Sequence, residues 1–185
     1  MNMSPVSLTR QLTEAKERFS YCLIEKSPSL LRFGDDAGFG GKPYQKIPIR
    51  PIPPTQGNTY QYNVNLIDIS VGDNRSGFPP GTFSSPSGNT ILDSGTYYAY
   101  MKCGPYEVVM KKFDDYYTYI GLPPVRTPHG RFEHCYRIDK NFRDFLPMTY
   151  HFEGGAKLKI NPPTLYYKVK GDFALPYCQL IVMPL

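Results

Sequence analysis

A mainly β chain with a few short helices is predicted by three observations. The 185 residues include 19 Pro and 16 Gly, which interrupt regular structure often. Aromatics are plentiful, with 16 Tyr and 11 Phe, and such side chains suit the pleated, half-buried surface of a strand. Alternation of period two recurs along the chain, whereas a helical period is sustained in only one long stretch. The length allows one domain or two small ones, with a core of useful size in either case.

In chain order, Ser4-Pro5 reads as an N-cap followed by Pro at the first helical position. Leu8, Leu12 and Ala15 then share a side, so a short helix is predicted over Pro5 to Lys16. Phe19 to Leu23 and Leu30 to Phe33 read as strands separated by Ser27-Pro28-Ser29, and Gly34 to Pro54 as a loop. Between Tyr60 and Val71 the alternation is clearest, with Tyr60, Tyr62, Val64 and Leu66 on one side of a single predicted strand. Asp73 to Asn89 is expected to be loop and Thr90 to Leu92 a strand. Pro105 to Ile120 is the amphipathic helix: Tyr106, Val109, Met110, Phe113, Tyr117 and Ile120 fall on one face, and Glu107 and Lys111 stand four apart. Met148 to Phe152, the turn Glu153-Gly154-Gly155 and Ala156 to Ile160 form a predicted hairpin. Strands near Leu165 to Lys170 and Tyr177 to Met183 complete the pattern. No internal repeat or domain boundary interrupts it.

The formal net charge is +5, but Lys and Arg are scattered rather than gathered into a stripe, so no nucleic-acid partner is expected. No run approaches the roughly 18 apolar residues that span a bilayer, and Met1 to Gln11 lacks the apolar segment of a signal peptide. The four Cys have no Cys-x-x-Cys spacing. His129, His134 and His151 have no further ligand at a recognised spacing, so neither a metal nor any cofactor is expected. Asn2-Met3-Ser4 and Asn74-Arg75-Ser76 match the acceptor pattern for N-linked glycans, which only an exported copy can carry.

The chemistry-bearing motif is Ile91-Leu92-Asp93-Ser94-Gly95-Thr96. An apolar strand end is expected to deliver Asp93 from a buried strand into a turn; Gly95 allows that turn to be tight, and the Ser94 and Thr96 hydroxyls can hold carboxylate and backbone. An ordinary Asx turn would use the same residues. Two carboxylates sharing one proton can divide the work of peptide hydrolysis, one activating water as a base and the other, neutral, polarising the carbonyl. The motif occurs once, so this chain offers one such aspartate.

Together with that turn, a series of short motifs in order resembles the plant pepsin-like aspartic peptidases of the nepenthesin type, specifically their C-terminal lobe. The motifs are Ser7-Leu8 with Gln11-Leu12, Phe19 to Leu23, Phe33-Gly34, Tyr60 to Gly72 and Pro80 to Phe83. They continue with Ile91 to Thr96, Cys135-Tyr136, Phe152 with Gly154 to Ala156, and Cys178. The C-terminal region of plant xylanase inhibitors is similar too.

The resemblance implies that residues 1–185 are a single lobe of the bilobal pepsin-like fold, truncated, without the N-terminal catalytic lobe, its flap and the final C-terminal strands. It implies that Asp93 is the C-lobe catalytic aspartate, that Thr96 bonds its outer oxygen, that Ser94 reaches toward the other lobe's turn and that Gly95 completes the loop. It also pairs Cys135 with Cys178, closing a loop of roughly 43 residues worth about 4 kcal/mol in the chain-entropy model. Two buried reduced thiols are the alternative in a reducing compartment. Tyr97, Tyr98 and Ala99 depart from the small residues usual after the turn, so the cleft's shape is expected to differ. Peptide or protein is the expected substrate once an N-terminal lobe completes the site, and the resemblance implies a secreted or vacuolar location. A lone chain is expected to be inactive. The other readings are a homodimer that supplies two copies of Asp93, a non-catalytic protein or glycoside-hydrolase-inhibitor-like binder, and a fragment of a longer reading frame.

Overall fold

The computed structural model describes residues 8–12, 18–24, 27–50, 61–83, 90–96, 98–125, 134–168, 176–179 and 181–182. The chain divides into two compact units, one of residues 1–46 with 51–61 and one of residues 47–50 with 62–185.

In the first unit, α1 (Leu8–Gln11) is a single turn of helix, and the remainder of the span expected from Pro5 lies largely outside the described residues. Strands β1 (Phe19–Cys22) and β2 (Leu30–Phe33) pair antiparallel, with Phe19 opposite Phe33 and Cys22 opposite Leu30. A 3-10 turn over Gly34–Ala37 follows, and Gly34 occupies the left-handed region at φ 60°. Arg18 reaches Asp35 at 2.6 Å, an exposed pair that stabilises little.

The second unit holds the core. It begins with β3 (Tyr62–Val64) and β4 (Leu66–Val71), so the single strand expected from Tyr60 is broken at Asn65. The break separates two sheets: β3 pairs with β6 (Thr90–Leu92), while β4 lies between β10 (Met148–Phe152) and β5 (Asn74–Arg75). Alternation also fails inside β4, where Leu66, Asp68, Ile69, Ser70 and Val71 are all buried. An inner strand covered on both faces has no solvent side to mark with polar residues. Next come β7 (Ala99–Tyr100), the 17-residue helix α2 (Cys103–Tyr119), β8 (Pro124–Val125) and β9 (Cys135–Arg137). After β10 a 3-10 turn at Glu153–Gly155, with Gly154 at φ 82° and Gly155 at φ 86°, leads into β11 (Lys157–Ile160). The short α3 (Pro162–Leu165), β12 (Tyr166–Lys168), β13 (Pro176–Gln179) and β14 (Ile181–Val182) follow. The sheet orders are β11-β10-β4-β5, β12-β13-β9-β8, β14-β7 and β3-β6, and every pairing except β14 with β7 is antiparallel. Mainly antiparallel sheets with few helices agree with the expected fold class.

Helix α2 packs its expected face inward. Tyr106, Val109, Met110, Phe113 and Tyr117 are buried with Val64, Ile69, Val71, Tyr136, Met148 and Tyr166. Burying such side chains contributes about 1.5–3 kcal/mol each, which is what holds a helix to a sheet. The Tyr117 hydroxyl donates to that of Tyr166 at 2.8 Å, which in turn donates to the Leu146 carbonyl at 3.0 Å, so the aromatic core is polar-satisfied. Burial pushes the Tyr117 phenol up to about 12. The expected Glu107 pairing is corrected: Lys111 bonds both oxygens of Asp115 at 2.7 Å instead, on an exposed face where either pair contributes little.

Asp68 is buried within β4 and accepts from the backbone N–H of Ile69 at 2.8 Å and of Gly77 at 3.1 Å, with Arg75 Nε 2.9 Å away. It ties the β4–β5 turn to the loop that follows. In the same sheet Ser70 Oγ and His151 Nε2 are 2.7 Å apart, both buried. Desolvation, then Arg75 and Lys157, lower the His151 pKa against the opposing pull of Asp68. A histidine whose folded pKa is depressed stabilises the fold above its ordinary value, and that contribution is lost as pH falls. Urea unfolding followed from pH 7 to pH 5 should therefore show stability dropping once pH passes below about 6.5, and His151→Gln should flatten that profile. Parallel profiles for the two proteins would contradict this.

Candidate functional site

Asp93 is the residue immediately after β6, at the mouth of the turn that leads toward β7. In β6, Thr90, Ile91 and Leu92 pair with Val64, Asn63 and Tyr62 of β3. Ile91 is 43% exposed and Leu92 41%, so the strand delivering Asp93 is not the buried one expected. Among the described residues its sheet has two strands, and the register accounts for pairing along one edge of β6.

The loop itself is closed by three hydrogen bonds. The Thr96 hydroxyl donates to Asp93 Oδ2 at 2.5 Å, the Gly95 N–H donates to Asp93 Oδ1 at 2.9 Å, and the Thr96 N–H donates to the Asp93 carbonyl at 3.4 Å. Each carboxylate oxygen therefore has a donor while the group stays exposed, and Ser94 is exposed beside it. The Thr96 hydroxyl, followed by the Gly95 amide, holds the Asp93 pKa below the usual aspartate value, against a small opposing effect of burial. Gly95 serves here through its size. A Cβ built on it would meet Asp93 Oδ1 at 3.2 Å, so any larger residue pushes on the carboxylate.

Removing the larger donor should release the carboxylate. In Thr96→Val, a 13C NMR titration of the Asp93 side chain should show its midpoint rise toward the ordinary aspartate range. The sign follows from linkage: a depressed carboxylate keeps its hydrogen bonds above its unfolded pKa and loses them as pH falls through the folded one. An unmoved midpoint would mean that the Thr96 hydroxyl does not bond the charged form in solution.

The two cysteines of the expected pair come together as backbone. Cys135 of β9 and Cys178 of β13 stand directly opposite in the antiparallel register. Cys22 and Cys103 are exposed free thiols. Of the histidines, His129 lies outside the described residues. His134 Nδ1 is 2.9 Å from Asp114 Oδ2, and Asp114 Oδ1 also accepts from the Tyr136 hydroxyl at 2.5 Å. That ties α2 to β9 and gives His134 a structural partner. Among the described residues no group of three or more His, Cys, Asp or Glu could hold a metal ion, and no helix is long and apolar enough to cross a membrane.

A cleft of about 780 Å³ opens elsewhere, between the β4–β5 turn, the second half of α2 and Leu146-Pro147. Asp93 is not among the residues that line it. Sequence reading gave no sign of this cleft, because its walls come from four separate segments. Asp68 could have been noticed: a carboxylate inside an otherwise apolar strand signals a buried hydrogen-bonding hub.

Residues 61–183 match the family described as xylanase inhibitor C-terminal. Over 166 residues the chain is 31% identical to aspartic proteinase nepenthesin-1 of Nepenthes gracilis, which covers 84% of this chain and 36% of that protein. Nepenthesin-2 of the same plant is 31% identical over 164 residues, with the same 84% and 36% coverage. The chain therefore spans little more than a third of the length of these relatives. In three dimensions it superimposes on basic 7S globulin from soybean with a TM-score of 0.67 and 18% identity, over 97% of this chain and 47% of the globulin. At that identity the likeness establishes the fold alone. This chain belongs to the xylanase inhibitor C-terminal family and is similar to the C-terminal lobe of the plant pepsin-like aspartic peptidases.

Proposed function

We propose that the chain supplies one catalytic half of an aspartic endopeptidase, with Asp93 as its acid–base aspartate, and that the chain alone does not cleave protein. The observation that carries this reading is the Asp93 loop: an exposed carboxylate with Thr96 on one oxygen and Gly95 on the other. Such fixing orients the carboxylate while leaving it open to a water and to a second carboxylate. The second aspartate comes from an N-terminal lobe. With both in reach the pair shares one proton and titrates as a unit. Its ionised member then takes a proton from the attacking water as the neutral member donates to the carbonyl oxygen of the scissile peptide. On this reading Ser94, exposed on the same turn, bonds the opposite lobe. The reaction needs no cofactor.

The same reading includes a Cys135–Cys178 disulfide and passage through the secretory route to a secreted or vacuolar destination. The direct opposition of the two residues in the β9–β13 register supports the bond, since that places their Cα atoms near bonding range. Mass spectrometry of a non-reduced digest should recover the two peptides as one linked species.

Complementation tests the main claim. A molecule in which this chain replaces the matched portion of nepenthesin-1 should hydrolyse a denatured protein at acidic pH. A second reading has one observation in its favour, the xylanase-inhibitor description of the matching family. Under it the lobe binds a partner protein without proteolysis, and a pull-down with secreted glycoside hydrolases should then capture one of them. Capture of none removes that reading.

A further inference from the structure

We propose that Asn74 is an N-glycosylation site whose first sugars lie in the cleft beside Tyr116 and Tyr119. The inference goes beyond the peptidase reading and rests on its secretory route. Asn74-Arg75-Ser76 is an acceptor sequon. Its asparagine is exposed and follows the Gly72-Asp73 turn directly, at the start of β5 and opposite Val71. Because β5 is the outer strand of its sheet, a glycan there displaces no core side chain and covers an open edge.

Ser76 supplies an independent observation. Its hydroxyl is buried with no hydrogen-bond partner, while its N–H donates to the Ile69 carbonyl at 2.8 Å. In the folded protein that hydroxyl only costs stability. Recognition of the sequon before the hairpin closes gives the hydroxyl a use.

The cleft supplies the seat. Asn74 forms part of its wall with Arg75, Lys112, Tyr116, Tyr119 and Lys159, and its volume of about 780 Å³ falls among small-molecule sites. Tyr119 is 89% exposed, an aromatic face on which the apolar side of a pyranose ring can pack. The cationic side chains face sugar hydroxyl and acetamide oxygens as donors. The donor substrate is a lipid-pyrophosphate-linked oligosaccharide. A bond forms between Asn74 Nδ2 and the anomeric carbon of its first N-acetylglucosamine as the bond from that carbon to the pyrophosphate oxygen breaks. The lipid pyrophosphate departs with the bonding pair, and the amide loses one proton to solvent; nothing is oxidised or reduced.

The test expresses the full chain behind a cleavable export signal in a glycosylating eukaryotic host. Releasing the glycan with an amidase in heavy-oxygen water should leave labelled Asp at position 74. Ser76→Ala should abolish the label and Ser76→Thr should keep it. Secreted chain with an unmodified Asn74 would overturn the site. Because export is imposed, that result leaves the peptidase and localisation readings intact; they are tested by complementation and by where the chain travels without the added signal. For the seat, glycan removal should lower Tm by about 2–4 °C in the native sequence and leave Tyr119→Ala unshifted. Equal shifts in both would place the sugars outside the cleft.

Discussion

Asp93→Asn should remove at least 10²–10⁴-fold, by the usual worth of acid–base catalysis (about that range), from the acid hydrolysis rate of the complemented molecule. The amide is close to isosteric with the carboxylate but can neither accept a proton from water nor share one with a second aspartate. The Gly95 N–H still finds an acceptor oxygen, so the turn should keep its shape; circular dichroism and Tm of the variant should match the parent. Loss of rate without loss of fold separates a catalytic role for Asp93 from an ordinary Asx turn. Activity within a few fold of the parent would return the loop to that ordinary status and leave the binding reading as the better one.

Phe113→Ala is expected to destabilise the second unit by about 3–5 kcal/mol. Phe113 is fully buried on the inward face of α2 and packs edge-on against Tyr166 at a ring separation of 6.3 Å. Its removal leaves a cavity between helix and sheet, with Val109 and Tyr117 above and below it on the same face. Domains of this size hold a margin of roughly 5–15 kcal/mol, so the variant should be partly unfolded under mild denaturant. In the unglycosylated chain Tyr119→Ala, two helical positions beyond Tyr117 and exposed, should move stability by no more than about 0.5 kcal/mol. Urea unfolding of both variants beside the parent makes the comparison, and a similar midpoint for the two would mean that α2 does not pack as described.

How much could be read from sequence depends on how locally each feature is determined. Helix α2 was legible because one face alone is buried, which prints a 3.6-residue period on Tyr106, Val109, Met110, Phe113 and Tyr117. The β10–β11 hairpin was legible because Gly154 and Gly155 mark a turn whose positive φ angles favour glycine. Strand β4 misled, since burial on both faces erased the alternation and the break at Asn65 serves two different sheets. Strands β7, β8 and β9 have two or three residues each, too few to carry a period, and depend on partners distant in sequence. The Asp93 loop was legible for the opposite reason, as all three of its hydrogen bonds join residues no more than three apart. Its exposure was not, because that depends on what pairs with the far edge of β6. The cleft beside Asn74 escaped entirely, being assembled from separate segments, although the sequon on its wall was plain.

The central claim is that Asp93 is one half of a dyad and does no proteolysis by itself. The most direct measurement is hydrolysis of a denatured protein at acidic pH by the purified chain, alone and in the complemented molecule, with Asp93→Asn of each as the control. The expected result is no cleavage above buffer by the lone chain and Asp93-dependent cleavage, blocked by a transition-state analogue, after complementation. Cleavage by the lone chain that disappears with Asp93→Asn would contradict the account, since it would mean that this chain completes its own catalytic pair.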